Sequence, residues 1–137
     1  MAENNFLSVE IITPQKKIYS GKAASVSVPG SQSPFQILYN HAPIVSSLDA
    51  GVITINDDAD IYHYFAISDG FLELSKNTLS ILVELGLEAS EINKESVEKQ
   101  IAKLSEEREI AETKEKDVFS KKIKYAKVQL KAIELNK

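Results

Sequence analysis

Every glycine and every proline of this 137-residue chain lies at or before Gly86, and neither residue occurs after it. These two residues mark turns and break the interiors of regular elements, so their absence from residues 87–137 divides the chain into two kinds of material. Residues 1–86 are punctuated every several positions, as a β-protein is. Residues 87–137 form an unbroken stretch rich in Glu, Lys, Ala, Leu and Ile, which reads as long helices. The expected organisation is therefore a β-domain over 1–86 and a helical arm over 87–137. Such a body suits gripping a partner better than enclosing a substrate.

In the first part, Phe6–Ile12 mixes β-branched and aromatic residues in near-alternating polarity and stops at Thr13-Pro14, the pattern of a half-buried strand ended by a turn. Similar runs follow at Lys17–Ser20, Ala24–Val28, Phe35–Tyr39, Gly51–Ile55, Ile61–Ile67, Phe71–Leu74 and Thr78–Val83. Short strands at this spacing predict a sandwich or a barrel. Asn56–Asp60 is a polar hairpin loop whose acids lack the glycine, the ligand spacing and the closing Glu of a calcium loop, so it reads as a solvated turn.

Several function classes are disfavoured. Cysteine is absent, so no disulfide frame or thiolate metal site is available. No apolar run approaches the ~20 residues that cross a bilayer, and Met1 to Leu7 lacks the basic start and apolar core of a leader, so the chain is expected to stay where it is made. A net charge of -4 argues against nucleic acid as a partner, because phosphate binding needs a surplus of Lys and Arg. His41 precedes Ala42-Pro43 in a turn and reads as a structural hydrogen-bonder; His63 reads as a strand residue, and the two histidines have no spacing that supplies a third metal ligand. Asp69 and Glu73 read as a turn acid and an exposed strand acid. With no nucleophile elbow and no phosphate-cradling loop, no catalytic residue, cofactor or metal is expected.

The arm opens at Ile92-Asn93-Lys94-Glu95-Ser96-Val97, with Asn93 placed as N-cap and Ile92 and Val97 as a staple. Val97, Ile101, Leu104 and Ala111 share one face. Further on, Phe119, Ile123, Ala126, Leu130 and Ile133 step by four, three, four and three, the seam of a helix packed on one partner. Between them Glu112–Asp117 is wholly polar, and the chain is expected to turn there into two antiparallel helices, each on the order of 30 Å long. So narrow a seam leaves a thin core, and the hairpin should lean on something else. Lys121, Lys122, Lys124, Lys127 and Lys131 lie away from or beside the seam. They read either as a solvated face or as a surface for an acidic protein.

Two segments carry a family likeness. Pro29-Gly30-Ser31 leads through Phe35–Leu38 to Asn40-His41-Ala42-Pro43-Ile44-Val45, Leu48 and Gly51–Ile55; later comes Ile67-Ser68-Asp69-Gly70-Phe71-Leu72-Glu73-Leu74 and then Asn77–Leu82. In this order, ahead of a helical tail ending Leu130–Leu135, they resemble the epsilon subunit of bacterial F-type ATP synthase, the delta subunit of mitochondria. The resemblance implies a sandwich of about ten strands followed by an antiparallel helical hairpin. It also implies a non-catalytic rotor subunit that couples proton-driven rotation of the c-subunit ring to the catalytic alpha and beta subunits through gamma. Gln32, Ser33, Pro34 and His41 then fall in loops expected to meet the c-ring or gamma. The basic face at Lys121, Lys122, Lys124, Lys127 and Lys131 falls on an arm expected to restrain ATP hydrolysis. Membrane association, at the cytoplasmic face of a bacterial inner membrane, would come only through the complex. Departures from the family pattern occur at Gln36, Asn40 and Asp69, where glycine is usual, and at the arm's start. There Asn93, Ser96 and Val97 stand for the Asp, Arg and Ala of ATP-binding relatives, so ATP sensing is expected to be lost or much weakened. A free-standing interaction module with a basic helical clasp is the alternative.

Overall fold

Alternating polarity carries the first part into strands. The computed structural model describes residues 5–137, so the first positions of the expected β-domain, and of the segment read for a leader, lie outside the described residues. Nine strands follow in order: β1 (Leu7–Ile12), β2 (Lys17–Val28), β3 (Phe35–Leu38), β4 (Ile44–Leu48), β5 (Gly51–Asp57), β6 (Tyr62–Ile67), β7 (Gly70–Ser75), β8 (Thr78–Val83) and β9 (Gly86–Glu88). They hydrogen-bond in the order β4-β7-β8-β1-β2-β5-β6-β9, with β3 beside β2. All neighbours are antiparallel except β1 and β8. Leu72, Leu74, Leu79 and Ile81 of β7 and β8 share one buried cluster with Ile53, Ile55, Phe65 and Ile67 of β5 and β6. The ends of the sheet therefore fold over one another, and the inward faces meet as a sandwich core.

The runs Lys17–Ser20 and Ala24–Val28 read as two strands but form one. Gly21 pairs with Val9 inside β2, and the ladder to β5 shifts register between Ala23 and Ser25. A glycine within a strand marks a local irregularity as readily as an end. Beyond that point β2 holds β3 on one edge and β5 on the other.

After β9 a single 3-10 turn, Ala89–Glu91, leads to two antiparallel helices, α1 (Lys94–Ile110) and α2 (Thr113–Leu135). Asn93 caps α1 as the pattern predicts, its Oδ1 accepting from Ser96 N at 2.9 Å. The chain reverses at Ala111-Glu112, earlier than the polar stretch suggests, and residues 113–117 are already helical. Lys and Glu are good helix formers, and here they need no apolar stripe because the tip stands in solvent. α2 lies across β5 and β6. Besides its seam it carries a second stripe, Tyr125, Val128 and Ala132, which packs on Val52, Tyr64, Ala66, Ala89 and Ile92.

Candidate partner-binding surfaces

The connection between β2 and β3 is rooted by its first residues. Ser31 N donates to Ser47 O at 3.0 Å, Asp49 N donates to Pro29 O at 2.9 Å, and Ser31 Oγ donates to Asp49 Oδ1 at 3.1 Å. Gly30 is required here, because a Cβ would meet Ser33 O at 2.6 Å and the Phe35 ring at 2.7 Å. Gln32, Ser33 and Pro34 follow as an exposed tip on this fixed base.

His41 lies at the opposite end of β3, so the structure does not bring it together with Gln32–Pro34. Its N–H donates to Leu38 O at 3.1 Å and its Nδ1 sits 2.7 Å from Ala42 O. Next to it, Asn40 takes φ 65° and locks onto Asn77 of the β7–β8 turn: Asn40 N donates to Asn77 Oδ1 at 2.6 Å, and Asn77 Nδ2 donates to Asn40 Oδ1 at 3.0 Å. Asparagine thus supplies the left-handed backbone for which glycine is usual. Asp69 needs no such freedom, since it is not among the residues with positive φ.

Lys121, Lys122, Lys124, Lys127 and Lys131 of α2 are all exposed. Lys124 and Lys131 line an open cleft of about 760 Å³ together with Gln32, Ser33 and Pro34, so part of the arm's basic face borders the same cleft as the β2–β3 loop. Lys121, Lys122 and Lys124 line another, of about 620 Å³, that also holds Asp49, Asp69 and Glu84 of the sandwich. Lys127 lines a third cleft with Arg108 of α1, which Lys124 and Lys131 also border. Among the described residues none of these lysines forms a direct ion pair. On the docked surface, burial pushes the Tyr125 hydroxyl up to about 12.

Three surfaces lie outside the sequence-based expectations. The second stripe of α2 has a signal, a three-four step from Tyr125 to Val128 to Ala132, hidden by the more regular seam beside it. Val45, Phe71 and Leu82 lie exposed on one face of β4, β7 and β8, where the pairings Ser47 to Phe71 and Phe71 to Leu82 align them. Finally, His63 joins two elements. Asp57 closes the solvated β5–β6 turn by accepting from Ala59 N at 2.8 Å and Ile61 N at 2.9 Å, and its other oxygen lies 2.8 Å from His63 Nε2. The other ring nitrogen of His63, Nδ1, lies 3.3 Å from Glu88 Oε2. Its contacts are invisible in a strand pattern because Glu88 is twenty-five residues away.

Residues 6–89 match the family model described as ATP synthase, Delta/Epsilon chain, beta-sandwich domain. The ATP synthase epsilon chain of Leptospira interrogans serovar copenhageni is 36% identical over 88% of this chain and 91% of its own. For the cyanelle epsilon chain of Cyanophora paradoxa the figures are 33%, 93% and 96%. Among solved structures, a chain of the mitochondrial ATP synthase of Euglena gracilis, from an assembly that includes the c-ring, superposes with a TM-score of 0.82 at 13% identity, covering 94% of this chain and 82% of that one. A chain from the central stalk and c-ring of the Tetrahymena thermophila enzyme gives 0.60 at 16%, covering 93% and 96%. These two likenesses concern the fold.

Proposed function

The chain belongs to the ATP synthase delta/epsilon family, and on that premise we propose that it is a non-catalytic central-stalk subunit of a proton-translocating F-type ATP synthase. It couples c-ring rotation to the catalytic head through gamma, and its helical pair restrains ATP hydrolysis. The observation that carries this reading is the extent of the likeness, which runs through sandwich and helices alike and spans nearly the whole length of the epsilon chains concerned.

The physical character of each part supports the assignment. A body that transmits torque has to be stiff, and the sandwich core is close-packed from fully buried side chains. Residues 1–86 are assigned to rotor binding, with Gln32, Ser33 and Pro34 at one end of β3 and His41 at the other as contacts to the c-ring or gamma. The exposed face of Val45, Phe71 and Leu82 suits a body seated on another protein. Residues 87–137 form the regulatory arm. Its lysines, Lys121, Lys122, Lys124, Lys127 and Lys131, pair with acidic residues of the catalytic beta subunit when the arm leaves the sandwich, and alpha is met in the same position. ATP is not a ligand of the arm's start, where Asn93 spends its side chain on the helix cap and Val97 is buried. Among the described residues no helix is long and apolar enough to cross a membrane. The subunit is held at the cytoplasmic face of a bacterial inner membrane by its complex, without nucleic acid.

Affinity purification from the native cell tests the reading. The chain is expected to bring down gamma, alpha and beta in defined ratio; a mixture of unrelated acidic proteins would overturn it in favour of a free-standing basic clasp.

A further inference from the structure

His63 occupies the inward face of β6, in line with Phe65 and Ile67, and stands at the mouth of the sandwich with the Tyr19 ring 5.5 Å away. The titratable groups around it are Asp57 and Asp58 from the β5–β6 turn, Glu88 from β9 and Tyr19 from β2. Among the described residues no lysine or arginine pairs with these acids. Both ring nitrogens therefore face carboxylates, at 2.8 Å on Asp57 and 3.3 Å on Glu88.

An imidazolium has two N–H donors and satisfies both acids. A neutral imidazole has only one, so its bare nitrogen must turn a lone pair toward a carboxylate. Asp57 is the better-fixed partner, because two backbone N–H groups hold its other oxygen and its contact is the shorter. Glu88 is the one to let go. It ends β9, a three-residue strand paired with β6 through Phe65–Ile67. Ala89 and Ile92, which pack with α2, follow directly. This short strand is the stem from which the helical pair hangs.

We propose that Asp57, His63 and Glu88 form a pH-sensitive latch on that stem, closed on both sides while His63 is doubly protonated and released at Glu88 when it is neutral, so that rising pH loosens the docked arm. Partial burial pulls the His63 imidazolium down, but its hydrogen bonds to Asp57 and Glu88 outweigh that and hold its pKa above the ordinary 6.5. The hydrogen bond from His63 holds the Asp57 carboxyl below its ordinary 3.8, so Asp57 stays charged throughout. Because Asp57 stays beside the ring in both states, only the part of the rise that Glu88 contributes is at stake: it stabilises the docked form fully below the released-state value and is lost as pH climbs through the docked one. The latch concerns only how the arm is attached, and it stands whatever the arm does in a complex.

The test uses the full chain. The titration of His63 is followed by NMR, and amide-exchange protection of residues 86–93 and of α2, corrected for the intrinsic pH dependence of exchange, is followed over the same range. Protection is expected to fall about two- to fivefold across the titration of His63 itself, the scale of a part-exposed ion pair. In Glu88→Gln the side-chain amide can donate to a bare ring nitrogen or accept from an N–H, so the step should vanish with the stem still protected. His63→Phe keeps the aromatic packing on Tyr19 and Phe65 and should be flat at the released level; if that variant fails to fold, Glu88→Gln still decides. Protection that stays level through the titration of His63, or a step of wild-type size in Glu88→Gln, overturns the latch.

Discussion

In the sandwich, Ile53, Phe65, Leu79 and Ile81 lose all contact with water, whereas the arm meets the sandwich around Ala66, Ala89 and Ala132. Burying a large aliphatic or aromatic side chain contributes about 1.5–3 kcal/mol, and a methyl or methylene only about 0.8. The sandwich has seventeen buried residues in one apolar cluster, while the buried residues of the helices are Val97 and Leu104 in α1 and Ala126, Gln129 and Ala132 in α2. At the hairpin tip Ile110 is 87% exposed. The sandwich thus has a large apolar core of its own, while the helices rest on it through a modest surface. That difference suits the roles proposed for them, a rotor body that stays put and a regulatory arm that changes position.

The contrast can be broken most forcefully from the core. Phe65→Ala should cost about 3–5 kcal/mol in urea unfolding and loosen sandwich and arm together. A sandwich that barely noticed the change would mean that the arm shares more of the load. Ala132→Leu tests the other side, since overpacking the alanine contact should weaken docking by about 1–3 kcal/mol. Exchange across β5, β6 and α2 should quicken while the unfolding midpoint of the sandwich holds; a midpoint that drops with it would merge the two parts into one cooperative unit.

Charge effects should be smaller. Each exposed lysine pair is worth only ~0.2–1 kcal/mol, so Lys121, Lys122, Lys124 and Lys127 are changed together to Gln, which keeps helix propensity and the apolar seam. Hydrolysis by the reconstituted complex should rise, and added salt should shrink the gap from wild type. Unchanged hydrolysis would shift the arm's action to apolar contact or obstruction. The smallest expected signal is that of ATP itself. Calorimetry should register no binding to the isolated chain at millimolar nucleotide, and a sub-millimolar Kd would assign the phosphate contacts to lysines elsewhere on the hairpin.

What the sequence made legible was whatever depends on neighbours in the chain. Alternation marks β1, β5 and β8, the loss of glycine and proline after Gly86 marks the arm, and Asn93 marks the start of α1. Contacts between distant segments were less visible. β9 has three residues, too few for a period, and exists because β6 offers it an edge. The second stripe of α2 has meaning only once β5 and β6 present Val52, Tyr64 and Ala66 to it. His63 looked like any strand residue until folding placed a carboxylate on each side of its ring. The motif residues Gln32, Ser33, Pro34 and His41 came from family likeness, and the fold separates them by the length of β3.

The most direct measurement concerns separability. A chain ending at Glu91 keeps all nine strands and removes both helices. It should fold cooperatively and bind gamma with the affinity of the full chain, and the complex it forms should hydrolyse ATP faster. A truncated chain that is unfolded, or that folds but no longer binds gamma, would contradict the division into a self-sufficient rotor body and a detachable arm.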